Sequence, residues 1–285
     1  MSIEYAEHTA CPVCQSLSIS LKFPARRSLE EFVSTSGRKF SASAADFGIW
    51  YDLYECEHCS HVFAQRYPSN LGEFYHNADI ATYDRRRLGR QKDFAFIVET
   101  IARLGLLGNK PNVLGIGCST GALLAEFERY FNATTFGIEP SLQAAQVAIV
   151  NREGRVATGF FSQETLFDLQ GFERADIVCA TDVIEHVPDP SSFTRLIARS
   201  ALRSNGLICF ATPSVNSLSC RIMGPYWWSF RAMHLQYFSR KSLWTLLTQA
   251  GFKSVGIWPY VKHIELNRFV VPVSVGDVIS VGVMT

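Results

Sequence analysis

The sequence predicts an α/β protein: a doubly wound, mostly parallel sheet with a small cysteine-bearing unit ahead of it. Three observations predict this class. From about Gly89 onward, helical periodicities alternate with short, continuous apolar runs, the pattern of parallel strands covered on both faces by helices. The first run leads into a glycine-rich turn, Gly115-x-Gly117-x-x-x-Gly121. In such sheets ligands bind beyond the carboxyl ends of the strands, at a turn of this kind. Residues 1–80 differ in texture, with two Cys-x-x-Cys pairs, four of the seven histidines and little helical periodicity. The division expected is therefore a metal-binding unit over residues 1–80 and the α/β unit over residues 81–285.

The elements follow in order. "IWYDLYEC" is aromatic and fits a strand delivering Cys56 to its turn. "SLEEFVSTSGRKFSASAADFG" is rich in Ser, Ala and Gly and reads as a loop or weak hairpin. "RQKDFAFIVETIARLG" places Phe94, Ile97, Ile101 and Leu104 on one helical face and stops near Gly105. Then come strand "NVLGIG", helix "GALLAEFERYF", strand "TTFGIE", helix "SLQAAQVAIVN" and a strand around "RVATGF". Strand "ADIVCAT", helix "SSFTRLIARSAL" and strand "GLICFATP" complete the series. "SRKSLWTLLTQAGF" reads as an amphipathic helix capped by Ser239 and ended by Gly251. Two late strand-like pieces, "SVGIWPY" and "GDVISVGVM", suggest a hairpin with an antiparallel strand at the sheet edge.

Composition narrows the function classes. The chain has 285 residues, 47% hydrophobic and 19% charged, with a formal net charge of +1. That balance fits a packed globular protein and gives no overall electrostatic pull toward nucleic acid. Arg85, Arg86 and Arg87 form the one dense basic cluster, read as a solvated segment ahead of a helix or as an anion contact. The N-terminus lacks a basic-then-apolar signal sequence. The apolar tail is interrupted by Pro272 and Asp277 and is too short to span a bilayer. A cytoplasmic location is the expectation.

Glycines at strand ends let backbone approach a ligand, and the following helix N-terminus offers free N–H groups. They also make plain tight turns, so the turn alone is weak evidence. Glu139 adds to it: it ends the second strand, 18 residues after Gly121, where an acid accepts hydrogen bonds from ribose hydroxyls. This order fits a dinucleotide and S-adenosylmethionine alike.

Downstream, "ADIVCATDVIEHVPDPSSFTRLIARSALRSNGLICFATPS" resembles the fourth-strand motif through fifth strand of class I S-adenosylmethionine-dependent methyltransferases. "TDVIEHVPDP", Thr181 to Pro190, is its most characteristic part, and "HLQYFSRKSLWTLLTQAGF" is similar to the closing segment of small-molecule members. The resemblance covers about residues 85–285. It implies a Rossmann-like methyltransferase sheet in which Gly115, Ile116, Gly117, Cys118 and Gly121 line the methionine half of the cofactor. By the same resemblance Glu139 holds the ribose, Pro140 abuts the adenine, and Thr181, Asp182 and Val183 pass beside the sulfonium. Phe160 and Phe161 stand where the family often has an acid reading the adenine, and would stack instead. Two further departures are Gly115, where the family usually has an acid, and Ser119, where it usually has glycine.

"CPVC" (Cys11, Cys14) and "CEHC" (Cys56, Cys59) each place two thiolates on a tight turn, and together they fit a four-cysteine structural zinc site. Free cysteines and a redox pair are the other readings. The surrounding segments resemble the zinc-binding region attached to a methyltransferase subgroup that includes sugar C-methyltransferases. A sugar or nucleotide-linked sugar acceptor is the expectation from that resemblance.

"NSLSCRIMGPYWWSFRAMHLQYF", within residues 215–238, carries Tyr226, Trp227, Trp228, Phe230, Tyr237 and Phe238. It reads as a lid or acceptor wall, or as ordinary packing of a long connection. Methyl transfer to oxygen or carbon needs a proton removed. His234 and His186 are the candidates, His234 for acceptor contact and His186 for organising the site; both also read as structural. A nicotinamide-dependent reductase is suggested by Tyr237-x-x-x-Lys241, although the usual upstream serine is absent. A binding module on a methyltransferase-like fold without turnover is the non-catalytic alternative.

Overall fold

The structure, a computed structural model, describes residues 4–28, 47–70, 87–150, 152–266 and 269–284. Most of the Ser/Ala/Gly-rich stretch after Ser28, and Arg85 and Arg86, lie outside the described residues. Five short strands come first: β1 (Tyr5–Glu7), β2 (Ile19–Phe23), β3 (Leu53–Cys56), β4 (Val62–Ala64) and β5 (Arg66–Pro68). The α/β series then runs α1 (Arg87–Arg103), β6 (Asn112–Ile116), α2 (Ala122–Phe131), β7 (Thr134–Glu139), α3 (Leu142–Ile149) and β8 (Val156–Thr158). It continues through α4 (Gln163–Phe167), β9 (Ala175–Thr181), α5 (Pro190–Leu196) and β10 (Leu202–Pro213). The chain closes with α6 (Leu218–Met223), β11 (Gln236–Tyr237), α7 (Arg240–Gln249), β12 (Phe252–Leu266) and β13 (Phe269–Met284).

The main sheet has the order β12-β13-β10-β9-β6-β7-β8. β6 through β10 pair in parallel, and β13 is antiparallel to β10 and β12. The expected late hairpin stands at the sheet edge: β12 takes the edge, antiparallel to β13, which lies one strand in. The physical reason is legible in "VISV". Ile279 and Val281 are fully buried, and a continuous apolar run belongs to a strand covered on both faces.

Helix ends follow their sequence signals. Ser239 caps α7 through a reciprocal box with Ser242, and Gly251 sits at φ 90° just beyond its end. Asp189 accepts from the Ser192 N–H at 2.8 Å, with Pro190 opening α5. On one face of the sheet, Ile97, Ile101 and Phe127 pack onto Val113 and Ile177. On the other, Leu243, Leu246 and Leu247 of α7 pack with Ile208 and Phe210, in a core continuous with Cys11, Cys56 and Cys59.

The N-terminal strands do not close on themselves. Their four-stranded sheet has the order β11-β4-β3-β2, so Gln236 and Tyr237 complete it, opposite Phe63 and Val62. The same join is apolar: Trp227, Phe230 and Tyr237 form one core with Ile49, Tyr51, Leu53 and Val62. Each fully buried ring contributes about 1.5–3 kcal/mol. Among the described residues no helix is long and apolar enough to cross a membrane.

Candidate active site

Beyond the carboxyl ends of β6, β7 and β9 lies a cavity of about 480 Å³. Its floor is the turn after β6. The Ile138 carbonyl accepts from the Gly117 N–H at 2.8 Å and the Cys118 N–H at 3.2 Å, tethering the turn to β7. Gly117, Ser119 and Gly121 all have positive φ, at 64°, 50° and 80°. At Gly117 a side chain is also excluded by space, since a Cβ there would sit 2.5 Å from Val183 Cγ2. Ser119 adopts at some cost a conformation in which glycine is unstrained.

Glu139 locks this turn from the end of β7. Its carboxylate accepts the Ser119 N–H at 2.7 Å and the Ser141 N–H at 2.8 Å. Burial raises the Glu139 pKa, and the two N–H donors oppose that rise. Two oxygens provide several acceptor positions, so the carboxylate can serve the turn and a ligand hydroxyl together.

Eleven of the twelve sequence-predicted cofactor residues line the cavity. Gly115, Ile116, Gly117 and Cys118 form its base, Glu139 and Pro140 one side. Phe160 and Phe161 form another side, and Thr181, Asp182 and Val183 stand across from them. The structure does not place Gly121 in the lining. It caps α2 instead, where a Cβ would meet the Arg152 guanidinium at 2.6 Å. Phe161 meets Phe193 edge-on at 5.7 Å, while Phe160 remains 45% exposed.

The two histidines separate. His186 lines the cavity; His234 does not. Their rings touch edge-on with centroids 4.7 Å apart, so His234 stands behind His186. His186 Nδ1 lies 2.8 Å from the Met233 carbonyl, which can only accept, so this nitrogen carries the proton. Burial lowers its pKa to about 4 and keeps the ring neutral near pH 7. Glu185, which sequence reasoning passed over, is buried beside them, and the Thr212 hydroxyl donates to its Oε2 at 3.0 Å.

Four of the six aromatics of residues 215–238 are interior: Trp227, Phe230, Tyr237 and Phe238 are each at most 2% exposed. None of the six lines the cavity. Tyr237 packs against Phe230 at 5.1 Å, which leaves the Tyr-Lys reductase reading without a tyrosine at the site. Residues that sequence reasoning missed include Arg90 and Phe94 of α1, Pro68 at the end of β5 and Ser69 just after it. Arg90 and Phe94 sit one helical turn apart, a spacing that marks a shared face. Nothing local marks Pro68 or Ser69.

The four pair cysteines converge. One sulfur from each of Cys11, Cys14, Cys56 and Cys59 lies within 4.8 Å of the others. The closest pairs are Cys11–Cys59 at 3.6 Å and Cys14–Cys56 at 3.5 Å. A tetrahedral ion with sulfur bonds of about 2.3 Å spaces its sulfurs about 3.8 Å apart, so the cluster fits zinc. The neighbouring Cys59 thiol lowers the Cys11 pKa to about 6, which favours a thiolate in the cluster.

Comparisons with known proteins bear on this geometry. The family described as a methyltransferase domain matches residues 87–256. A ubiquinone biosynthesis O-methyltransferase of Idiomarina loihiensis is 34% identical over 115 residues, 39% of this chain and 45% of that protein. One from Bradyrhizobium diazoefficiens is 31% identical over 142 residues, 48% of this chain and 55% of that protein. The chain spans about half the length of the curated relatives it matches. Among solved structures, a SAM-dependent methyltransferase from Thermotoga maritima aligns with TM-score 0.52 and 19% identity, over 72% of this chain and 96% of that one. A chain of the complex between the Haloferax volcanii Trm112 methyltransferase activator and a methyltransferase aligns with TM-score 0.53 and 15% identity, over 72% and 95%. At these identities the structural likeness shows the fold.

Proposed function

Because the chain belongs to the methyltransferase domain family, we propose that it transfers a methyl group from S-adenosylmethionine to a hydroxyl of a small molecule. The observation that carries this is the convergence, on one cavity, of the positive-φ turn, the Glu139 carboxylate and the Thr181–Val183 segment. In this reading Glu139 accepts from the ribose hydroxyls, and Phe160 and Phe161 stack with the adenine. The turn backbone takes the methionine half. Transfer is an in-line displacement, so holding the acceptor opposite the sulfonium supplies much of the rate. The acceptor's reacting atom sits at the His186 end of the cavity. His234, packed behind, acts as a positioning residue.

The curated relatives are named O-methyltransferases, which supports oxygen as the accepting atom. Carbon methylation of a nucleotide-linked sugar is the second reading, favoured by the assembled cysteine cluster and the resemblance of its segments. We assign structural zinc to Cys11, Cys14, Cys56 and Cys59, with four sulfurs and no open position. The metal-binding unit is then residues 1–80, completed by β11 from the methyltransferase unit of residues 81–285.

Isothermal titration with S-adenosylmethionine tests the core of the proposal, followed by methyl-transfer assays on phenolic and sugar-nucleotide acceptors. Binding at or tighter than about 100 μM is expected. Absence of heat with both the cofactor and its demethylated product would overturn the enzyme reading in favour of the non-catalytic module.

A further inference from the structure

Apart from the cysteine cluster, one other group among the described residues brings metal-ligating atoms together: Glu185, His186 and His234, with one atom from each within 4.8 Å of the others. We propose that these three side chains hold a divalent transition-metal ion of the zinc class at the acceptor end of the cavity. Two imidazoles and one carboxylate with an open fourth position is a donor set used by catalytic zinc, in contrast to a closed set of four sulfurs.

The surroundings are those of a ligand set held by outer partners. The Met233 carbonyl, 2.8 Å from His186 Nδ1, fixes the proton there and directs the lone pair to Nε2. The Thr212 hydroxyl engages Glu185 Oε2 at 3.0 Å and orients the carboxylate. Such partners set the tautomer and direction of metal ligands. The Leu235 N–H donates to the Glu185 carbonyl at 2.8 Å, which fastens the residue after His234 to the Glu185–His186 turn. Glu185 is 1% exposed and His234 8%.

The position of the ion suggests its use, and this part rests on the methyltransferase reading. His186 lines the same cavity as the turn and Glu139, while Glu185 and His234 stand behind it, so an acceptor would reach the ion past the His186 edge. A hydroxyl bound there is acidified, as metal-bound water is, and its proton passes to solvent water. The oxygen then attacks the sulfonium methyl. A C–O bond forms, the C–S bond breaks, and its electron pair stays on sulfur as the thioether. The acceptor class that fits is a hydroxyl flanked by a second oxygen, able to chelate the ion.

The test is a metal count on tag-free full-length protein, stripped by chelation, reloaded with Zn²⁺ or Co²⁺ and desalted. Wild type is expected to retain one equivalent per chain more than E185Q and H234Q, with the cysteine cluster loaded equally in all three. Co²⁺ at this site adds d–d absorption of nitrogen and oxygen ligation without sulfur charge transfer, and the variants lose that component. T212V, which keeps all three ligands, is expected to weaken the extra site about 10–100-fold. Titration with S-adenosylmethionine on the same samples reports an intact cavity and separates the two readings. Equal metal content and identical Co²⁺ spectra in wild type, E185Q and H234Q overturn the metal proposal while cofactor heat persists. Loss of cofactor heat in wild type overturns the methyltransferase reading and leaves the metal count to stand by itself.

Discussion

By the resemblance Gly115 stands at a position where an acid is expected, so Gly115→Asp asks whether a missing carboxylate limits cofactor binding. The structure gives a definite answer. Gly115 pairs in register with Gly137 on β7, and two adjacent glycines leave a pit in the sheet surface. Cys118 and Leu124 fill it. A Cβ on Gly115 would lie 3.0 Å from Leu124 Cδ2 and 3.2 Å from Cys118 Cβ, and one on Gly137 would meet Cys118 Sγ at 2.6 Å. Forcing atoms into a filled core costs about 1–3 kcal/mol. A charge-assisted contact to the cofactor ammonium would return about 1.5–3 kcal/mol, and only in the bound state. The unliganded variant carries the cost alone. Urea unfolding followed by tryptophan fluorescence is expected to show about 1–3 kcal/mol lost for Gly115→Asp, with titration showing no gain in affinity. Gly115→Ala, with the same first carbon and no charge, should reproduce most of that loss. A Gly115→Asp protein as stable as wild type, binding S-adenosylmethionine tenfold more tightly, would refute the reasoning.

Glu139→Gln removes the charge that two backbone N–H groups and, in the proposed reading, the ribose share; calorimetry should show cofactor affinity reduced by about 1.5–3 kcal/mol, roughly tenfold to a hundredfold. Ser119→Gly relieves a φ of 50° and removes a buried hydroxyl without a hydrogen-bond partner, so denaturant unfolding should show about 1 kcal/mol gained. Cys56→Ser should lower zinc content by one equivalent in elemental analysis and reduce the thermal midpoint, because four-sulfur sites contribute directly to folding. An unchanged metal content would place zinc elsewhere.

The turn-side lining of the cavity was legible because it is local. The turn Gly115–Gly121, Glu139 and Thr181–Val183 each end a strand of the parallel series, and strand ends share one edge of such a sheet by topology. Ser239 and Gly251 marked the limits of α7 by their own chemistry. The rest depends on contacts distant in sequence. Trp227, Phe230 and Tyr237 gave the same signal as a solvent-facing wall, and only their partners Ile49, Tyr51 and Leu53 reveal them as core. Gly115 looked like a loss until the Cys118 and Leu124 side chains were placed around it. β13 lies inside β12 because its run of buried residues, not its place at the end of the chain, decides its neighbours.

This division carries into function. The four-cysteine cluster grips the other unit at three points. Ser191 Oγ donates to the Pro12 and Val13 carbonyls at 2.8 and 3.1 Å, and Ser239 Oγ donates to the Cys59 carbonyl at 3.3 Å. Between them, the His61 imidazole meets Gln236 Oε1 at 2.8 Å, and Gln236 Nε2 donates to the Pro188 carbonyl at 3.0 Å. All three points fall within five residues of His186 or His234. β11 is two residues long, too short to hold its own position by ladder bonds, so the clamp and the buried rings must supply the rigidity. The cofactor turn has no such dependence, because its tethers run to β7 within the main sheet. In the proposed reading the cofactor turn therefore rests mainly on the main sheet, whereas the segments around His186 and His234 rest also on the cysteine cluster, which would give a metal held there a hold on the far end of the cavity.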